Sequence, residues 1–175
     1  MHNNLPNKFY FISNLKNINI DKLDNKSAVI YRNYKNKLNI NEIIKVKSFL
    51  SKRNIKFFLS NNFKLSLKLG LDGAYLPSFN KDFKHLSYKI KPSFIIIGSA
   101  HNVKEIRLKE SQKIKLIFIS SVFKKNKNFL GIYKFKILNK LTKKKVVALG
   151  GISKSNIKKV SLLDCYGLAG ISYFQ

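Results

Sequence analysis

The sequence predicts an α/β protein of the (β/α)8 TIM-barrel type, and three observations lead to this fold class. Eight short apolar runs recur along the 175 residues, each bounded by polar turns. Most runs are β-branched or aromatic and continuously apolar, which is typical of parallel strands buried on both faces. Segments with helical spacing lie between several of them, and such alternation favours a parallel barrel. A doubly wound open sheet is the alternative, because periodicity does not show whether a sheet closes.

The eight runs give the expected strands in chain order. They cover residues 9–12, 28–31, 55–59, 73–76, 94–97, 116–119, 146–149 and 167–171. Only a short stretch separates the first two runs, which leaves room for one short helix, and the sequence ends soon after the eighth. We therefore expect a single domain over residues 1–175, shortened in its first unit and lacking the last helix.

Three segments between the runs have the spacing of amphipathic helices. Residues 39–54 carry an apolar stripe interrupted by lysines, and residues 60–62 (Ser-Asn-Asn) can cap a further helix. Residues 99–113 are expected to be capped by Ser99, and residues 153–164 by Ser153 or Ser155. The apolar residues predicted to face inward are Ile40, Ile43, Ile44, Phe49 and Leu50, then Val103, Ile106 and Leu108, and finally Ile157, Val160 and Leu163.

The chain is strongly basic, with 35 Lys and Arg against 8 Asp and Glu and a net charge of +27. Such a charge would suit a polyanion-binding protein, since lysines that neutralise phosphates release counterions. However, nearly all the basic residues are lysines, they are spread along the whole chain, and Asn and Ile are abundant too. Lys, Asn and Ile share AT-rich codons, so the composition favours mutational bias. We expect only non-specific adhesion to nucleic acid.

Cysteine usage and hydropathy suggest the compartment. The lone Cys165 leaves no internal disulfide and fits a reducing cytoplasm. The sequence contains no run of 18 apolar residues, so no membrane span is predicted. The first residues lack the pattern of a signal peptide. We expect a cytoplasmic protein.

The run "VVALGGIS" (146–153) is the most informative for chemistry. A buried strand ends in Gly150-Gly151, which let a backbone approach a ligand, and a helix is expected to begin near Ser153. The last strand brings Ile171 and Ser172 beside it. Loops after strands seven and eight of a barrel often form a phosphate site, so we predict one here.

The order of "FYFIS", "LKLGLDGAYLP", "IIGSAHNVKEI", "VVALGGIS" and "GLAGIS" resembles the thiamine-phosphate synthase/TenI superfamily, over nearly the whole chain. In that family the synthase joins a pyrimidine pyrophosphate to a thiazole phosphate with Mg²⁺ assistance. The TenI branch aromatises a thiazole carboxylate phosphate without metal. The resemblance places thiazole-phosphate contacts on Gly150, Gly151, Ile171 and Ser172.

The resemblance also implies residues for proton transfer and for the diphosphate. Ser99 can offer a hydroxyl, and His101 lies where the tautomerase branch places a proton-transfer residue. Arg32 alone survives from the diphosphate-binding Gln-x-Arg-x-Lys run, and we expect it to be a buried strand-end oxyanion partner. Lys125 or Lys127 could replace the family's strand-six lysine as an electrostatic clamp.

The two metal-binding aspartates of the family align best with Asn61 and Asn80. Amides offer neutral oxygens, whereas Mg²⁺ at a diphosphate normally uses carboxylates. Mg²⁺ is thus a doubtful cofactor, and no other metal site is predicted.

Four functions follow as hypotheses. The residues favour a metal-independent, TenI-like protein of thiamine biosynthesis or salvage that binds a thiazole phosphate. A divergent synthase, a non-catalytic phosphate-ligand binder and a polyanion binder are the alternatives. The short first and last units leave barrel edges that a second copy could cover.

Overall fold

The computed structural model describes residues 5–15, 23–34 and 37–174, and in them eight parallel strands form a closed barrel. Each strand pairs with the next one along the chain, and β1 pairs with β8 to close the sheet, with Tyr10 opposite Gly170. The barrel prediction is confirmed and the open-sheet alternative is wrong. The short helix expected between the first two strands falls largely on residues 16–22, which lie outside the described ranges.

The strands agree with the apolar runs to within three residues. They are β1 Lys8–Ile12, β2 Ser27–Tyr31, β3 Lys56–Ser60, β4 Gly73–Leu76, β5 Ile95–Ala100, β6 Leu116–Ser120, β7 Lys145–Leu149 and β8 Gly167–Gly170. Because both faces of these strands are buried, one side of each strand fills the barrel and the other side meets the surrounding helices.

The barrel interior is packed with aromatic side chains. Phe9, Phe11, Tyr75 and Phe118 meet edge to face, with ring centroids 4.8 Å apart for Phe9 and Phe118 and 5.5 Å apart for Tyr75 and Phe118. Edge-to-face contacts suit the quadrupoles of the rings, and the interior is therefore a solid core rather than a channel. Ligands must then bind at an end of the barrel.

Four α-helices are present in the described part of the chain: α1 Ile40–Ser51, α2 Phe63–Lys68, α3 Val103–Ser111 and α4 Gly131–Lys140. Asn39, Asn62 and Asn102 cap the first three through their side-chain oxygens. The predicted cap at residues 60–62 is thus confirmed at Asn62. Ser99 does not cap α3, because β5 continues through Ala100 and buries Ser99 within the sheet.

The predicted inward stripes are only partly correct. Of the residues predicted to face inward, Ile43, Leu50 and Ile106 are buried. Four others are exposed, namely Ile40, Ile44 and Phe49 of α1 and Val103 of α3. The helices contact the barrel along a narrower stripe than the apolar content suggests.

The prediction of a capped helix over residues 153–164 is wrong. Asn156 donates from Nδ2 to Gly151 O (2.7 Å) and accepts from Ser153 N (3.0 Å), which closes a turn before any helix begins. A short 3-10 helix follows at Ile157–Leu163, without a side-chain cap. Leu163 is buried, while Ile157 and Val160 are half-buried.

Beyond β8 the chain turns back over the barrel end. Phe174 is buried, and its ring lies 5.0 Å from that of Tyr10. Over the described ranges, no helix has the length and hydropathy needed to cross a membrane.

Candidate ligand site at the carboxyl end of the barrel

Gly150 and Gly151 follow β7 with φ angles of +103° and +76°, which side chains other than glycine rarely adopt. A Cβ on Gly150 would collide with Ser121, and one on Gly151 would lie 2.5 Å from Lys124 N. The backbone of the loop after β7 therefore lies very close to the backbone near Ser121 and Lys124. Gly150 O accepts from Phe123 N (2.8 Å) and Lys124 N (3.2 Å), which fixes the loop after β6 (residues 121–130) against it.

A cavity of about 310 Å³ opens beside these glycines. It brings together five residues predicted for the site: Arg32, Gly150, Gly151, Ile171 and Ser172. Its other lining residues are Phe11, Ser120, Ser121, Lys124, Asn126, Leu149, Ile152 and Gly170. The ends of β1, β2, β6, β7 and β8 thus meet at one place.

Arg32 lies at the mouth of this cavity, but it is exposed rather than buried as expected. The last residue of β2 is Tyr31, so the Arg32 side chain projects beyond the sheet, while its N–H donates to Ile12 O (2.8 Å). The guanidinium lies 5.4 Å from the ring centre of Phe11. This contact places a positive charge in the lining of the cavity, where a guanidinium can bind an anion.

The lysine that lines the cavity is Lys124, whereas Lys125 and Lys127 are exposed elsewhere on the same loop. The sequence could not distinguish them, because lysines occupy three of four consecutive positions there. Ser121 was also missed, although its position just after a buried strand marked it as a candidate. Its Oγ donates to Lys124 O (3.0 Å) and so shapes the loop.

Asn61 and Asn80, which the resemblance places at the metal positions of the family, come together after β3 and β4. Asn80 Nδ2 donates to Asn61 Oδ1 over 2.7 Å, so the two amides satisfy each other. The nearby Asp82 carboxylate accepts from Lys84 N (2.7 Å), and this backbone N–H lowers the pKa of Asp82. Among the residues described, no three His, Cys, Asp or Glu side chains are grouped to hold a metal ion. The residues at this position do not fit Mg²⁺.

Ser99 and His101 lie apart from the cavity lining. Ser99 is buried, and its Oγ accepts from Ser78 N (3.0 Å). His101 precedes the cap of α3, where its backbone N–H and Nδ1 both lie within 2.9 Å of Glu105 Oε2. Both residues make structural contacts, and their part in proton transfer stays a prediction.

The closed parallel barrel, with its functional loops at the carboxyl ends of the strands, defines this chain as a TIM-barrel protein. A model of the family described as thiamine monophosphate synthase matches residues 21–174, so the chain belongs to that family, which serves thiamine biosynthesis. The resemblance read from the sequence is confirmed.

Two relatives are thiamine-phosphate synthases. The chain is similar to that of Methanococcus vannielii, with 26% identity over 77% of this chain and 68% of the relative. It is also similar to that of Prochlorococcus marinus, with 31% identity over 76% of this chain and 38% of the relative.

Solved structures agree on the fold. A thiamine phosphate pyrophosphorylase from Pyrococcus furiosus superposes with a TM-score of 0.76 at 21% identity, covering 97% of this chain and 87% of its own. A citrate synthase reaches a TM-score of 0.68 at 10% identity, over 97% and 87% of the two chains. Such low identities show a shared barrel only.

Proposed function

We propose that this protein binds a thiazole phosphate of thiamine biosynthesis at the carboxyl end of its barrel and does so without a divalent cation. The observation that carries the proposal is the cavity in which Gly150, Gly151, Arg32 and Lys124 meet. A site of this size is at the small end of the range for ligand pockets, which suits a single phosphorylated ring.

The phosphate end of the ligand has suitable partners in this cavity. The two glycines expose backbone to a ligand, Ser172 supplies a hydroxyl, and Arg32 and Lys124 supply positive charge. A guanidinium binds a phosphate through two parallel hydrogen bonds, and an ammonium acts as a point charge. The apolar lining from Phe11, Leu149 and Ile171 suits the ring.

The neutral amides at the metal position support metal-free binding. Departure of pyrophosphate from a pyrimidine requires strong neutralisation of the leaving group, which the family obtains from a metal ion. The Asn61–Asn80 pair supplies no charge for such an ion. This favours the TenI-like function over that of a divergent synthase.

Calorimetric titration with a thiazole phosphate tests the proposal. Binding should be equally strong in EDTA and in Mg²⁺, and the corresponding thiazole alcohol should bind at least about tenfold more weakly, since it lacks the charge-assisted hydrogen bonds. A second assay supplies both synthase substrates with and without EDTA. If thiamine phosphate forms and EDTA abolishes its formation, the proposal is overturned in favour of a divergent synthase. Proton exchange on the bound thiazole, compared between wild type and His101→Asn, tests the proton-transfer role predicted for His101.

A further inference from the structure

A lysine is buried behind the loop that follows β4. Lys109 of α3 has no exposed surface, although 35 basic residues make lysine the expected surface residue of this chain. Its Nζ donates to Pro77 O, Asn80 O and Gln112 Oε1, each over 2.9 Å. The three N–H groups of an ammonium are thus all used, which is what a buried charge requires.

Two of the three acceptors, Pro77 O and Asn80 O, belong to one segment, residues 77–82, which we call the β4 loop. Gln112 reinforces the attachment, because its Nε2 donates to Asp82 O (2.8 Å) and Asn80 O (3.2 Å). Within the loop, Asn80 N donates to Pro77 O (3.0 Å), and Asp82 N to Asn80 Oδ1 (3.0 Å). Lys109 of α3 and Gln112 at its C-cap therefore hold both ends of the loop, through Pro77 O and Asp82 O.

The front of the same loop reaches the mouth of the barrel. Asn80 contacts Asn61, and the half-exposed Phe79 packs edge to face on Tyr34, with centroids 5.6 Å apart. The Tyr34 hydroxyl lies 2.6 Å from Ser60 Oγ. Tyr34 is two residues beyond Arg32, so the position of the β4 loop bears on the segment that brings Arg32 to the cavity.

We propose that Lys109 is a positioning residue for the candidate ligand site, whose buried ammonium ties the β4 loop to α3 and thereby sets the mouth of the barrel. The part of this inference that concerns ligand affinity rests on the proposed function, whereas the ordering of the loop does not. Removal of the ammonium takes one donor from each of three acceptors, and Pro77 O and Asn80 O then keep only the weaker support of Asn80 N and Gln112 Nε2, so the loop should open locally while the barrel persists.

The protonation of Lys109 gives a readout that a merely structural residue lacks. Burial lowers the pKa of Lys109 to about 8, and the Glu105 carboxylate on the same helix opposes this shift. The other titratable groups that face this region are His85, whose Nε2 lies 2.8 Å from Gln112 O, and Asp82, which pairs with Lys84. Opening of the loop would return the ammonium to water and restore its pKa, so protonation favours the open loop, and the closed loop should become better protected as the pH rises through about 8.

The sign for global stability is the same. Lys109 binds its proton more weakly in the folded chain than in the unfolded chain, so its contribution to the free energy of unfolding rises between about pH 8 and the usual lysine pKa.

Amide hydrogen exchange in the ligand-free protein tests the ordering of the loop. In Lys109→Met the amides of Ser78, Asn80 and Asp82 should exchange at least about tenfold faster than in wild type, with the strand amides unchanged. Lys104→Met, on the exposed side of α3, is the matched control and should leave the loop protected. Unchanged loop protection in Lys109→Met would overturn the proposal.

A pH series tests the same point without depending on a variant that folds. In wild type and Lys104→Met, loop exchange corrected for its intrinsic rate should slow several-fold between pH 7 and 9. In Lys109→Met this pH step should be absent, and thiazole phosphate affinity should be several-fold lower than in Lys104→Met. A wild-type loop that is equally protected at pH 7 and 9 would contradict the inference. If wild type binds no thiazole phosphate, the proposed function fails while the exchange data still decide on Lys109.

Discussion

Two glycines and one arginine determine what the carboxyl end of β7 can hold. The glycine pair was recognisable from the sequence, because paired glycines after a buried strand have few other uses. Arg32 was recognisable only through the family resemblance, and its exposure was not predicted, since a sequence does not show where a strand stops. The sequence did not distinguish Lys124 from the lysines beside it. It also did not show that Lys109 is buried, whereas Lys104 on the same helix is exposed.

Gly151→Ala should abolish most thiazole phosphate binding. The added Cβ would lie 2.5 Å from Lys124 N at a φ of +76°, so the loop must move away from the cavity. The strain should lower the free energy of unfolding by about 1–3 kcal/mol. Calorimetry and urea unfolding measure the two effects. Gly131→Ala is the control, because its φ of +64° is similar but its Cβ would make ordinary contacts 3.6 Å away, and Gly131 is not among the residues that line the cavity. Equal affinity loss in both variants would contradict the close approach at Gly151.

Arg32→Gln should weaken thiazole phosphate binding by about ten- to a hundredfold, the range for losing hydrogen bonds to a charged group. The free energy of unfolding should change little, because the side chain is exposed. Arg53→Gln is a matched control: Arg53 is also exposed and stacks on a phenylalanine, Phe49, at 4.0 Å. Affinities that fall equally in the two variants would point to general attraction by the basic surface instead of a specific contact.

The strands were predictable and the helices were less so. A strand buried on both faces appears as a continuous apolar run, which the sequence marks directly. Helix bounds depend on caps and on local side-chain bridges, and at residues 153–164 the Asn156 bridge to Gly151 and Ser153 replaced the expected capped helix. The proposed phosphate site would therefore depend on the glycine loop itself, because a 3-10 helix at Ile157–Leu163 stands where an α-helix was expected.

The Asn62 cap allows a test of how α2 is held. Its Oδ1 accepts from Leu65 N (3.3 Å) at the start of a helix of six residues. Asn62→Ala should lower the free energy of unfolding by about 1 kcal/mol, whereas Asn62→Asp should retain most of the stability, because it keeps an oxygen at the cap. Urea unfolding provides the measurement. An alanine variant as stable as wild type would show that barrel packing alone holds α2.

At the scale of the whole molecule, the net charge of +27 comes mainly from lysines spread along the chain, and among the described basic residues the cavity lining includes only Arg32 and Lys124. Within the described ranges, the ion pairs are few and mostly exposed, such as Lys8–Asp24 at 2.7 Å and Arg107–Glu110 at 2.7 Å. A surface of this kind attracts polyanions without a geometry that selects among them.

Binding to duplex DNA should therefore be strong at low salt and lost by about 200 mM salt, with no preference among sequences. Fluorescence anisotropy across a salt series with two unrelated duplexes measures both properties. Affinity that persists and discriminates between the duplexes at physiological salt would instead indicate a nucleic-acid-binding function.

The central claim is that a thiazole phosphate lies against the loop after β7, and its location can be mapped by ¹H–¹⁵N NMR of the labelled protein in EDTA. Titration with the ligand should shift the amides of Gly150, Gly151 and Ser172 first and most, together with Lys124 across the cavity. The amides of Asn61 and Asn80 should move little. Shifts centred on Asn61 and Asn80, or appearing only after Mg²⁺ is added, would contradict the account.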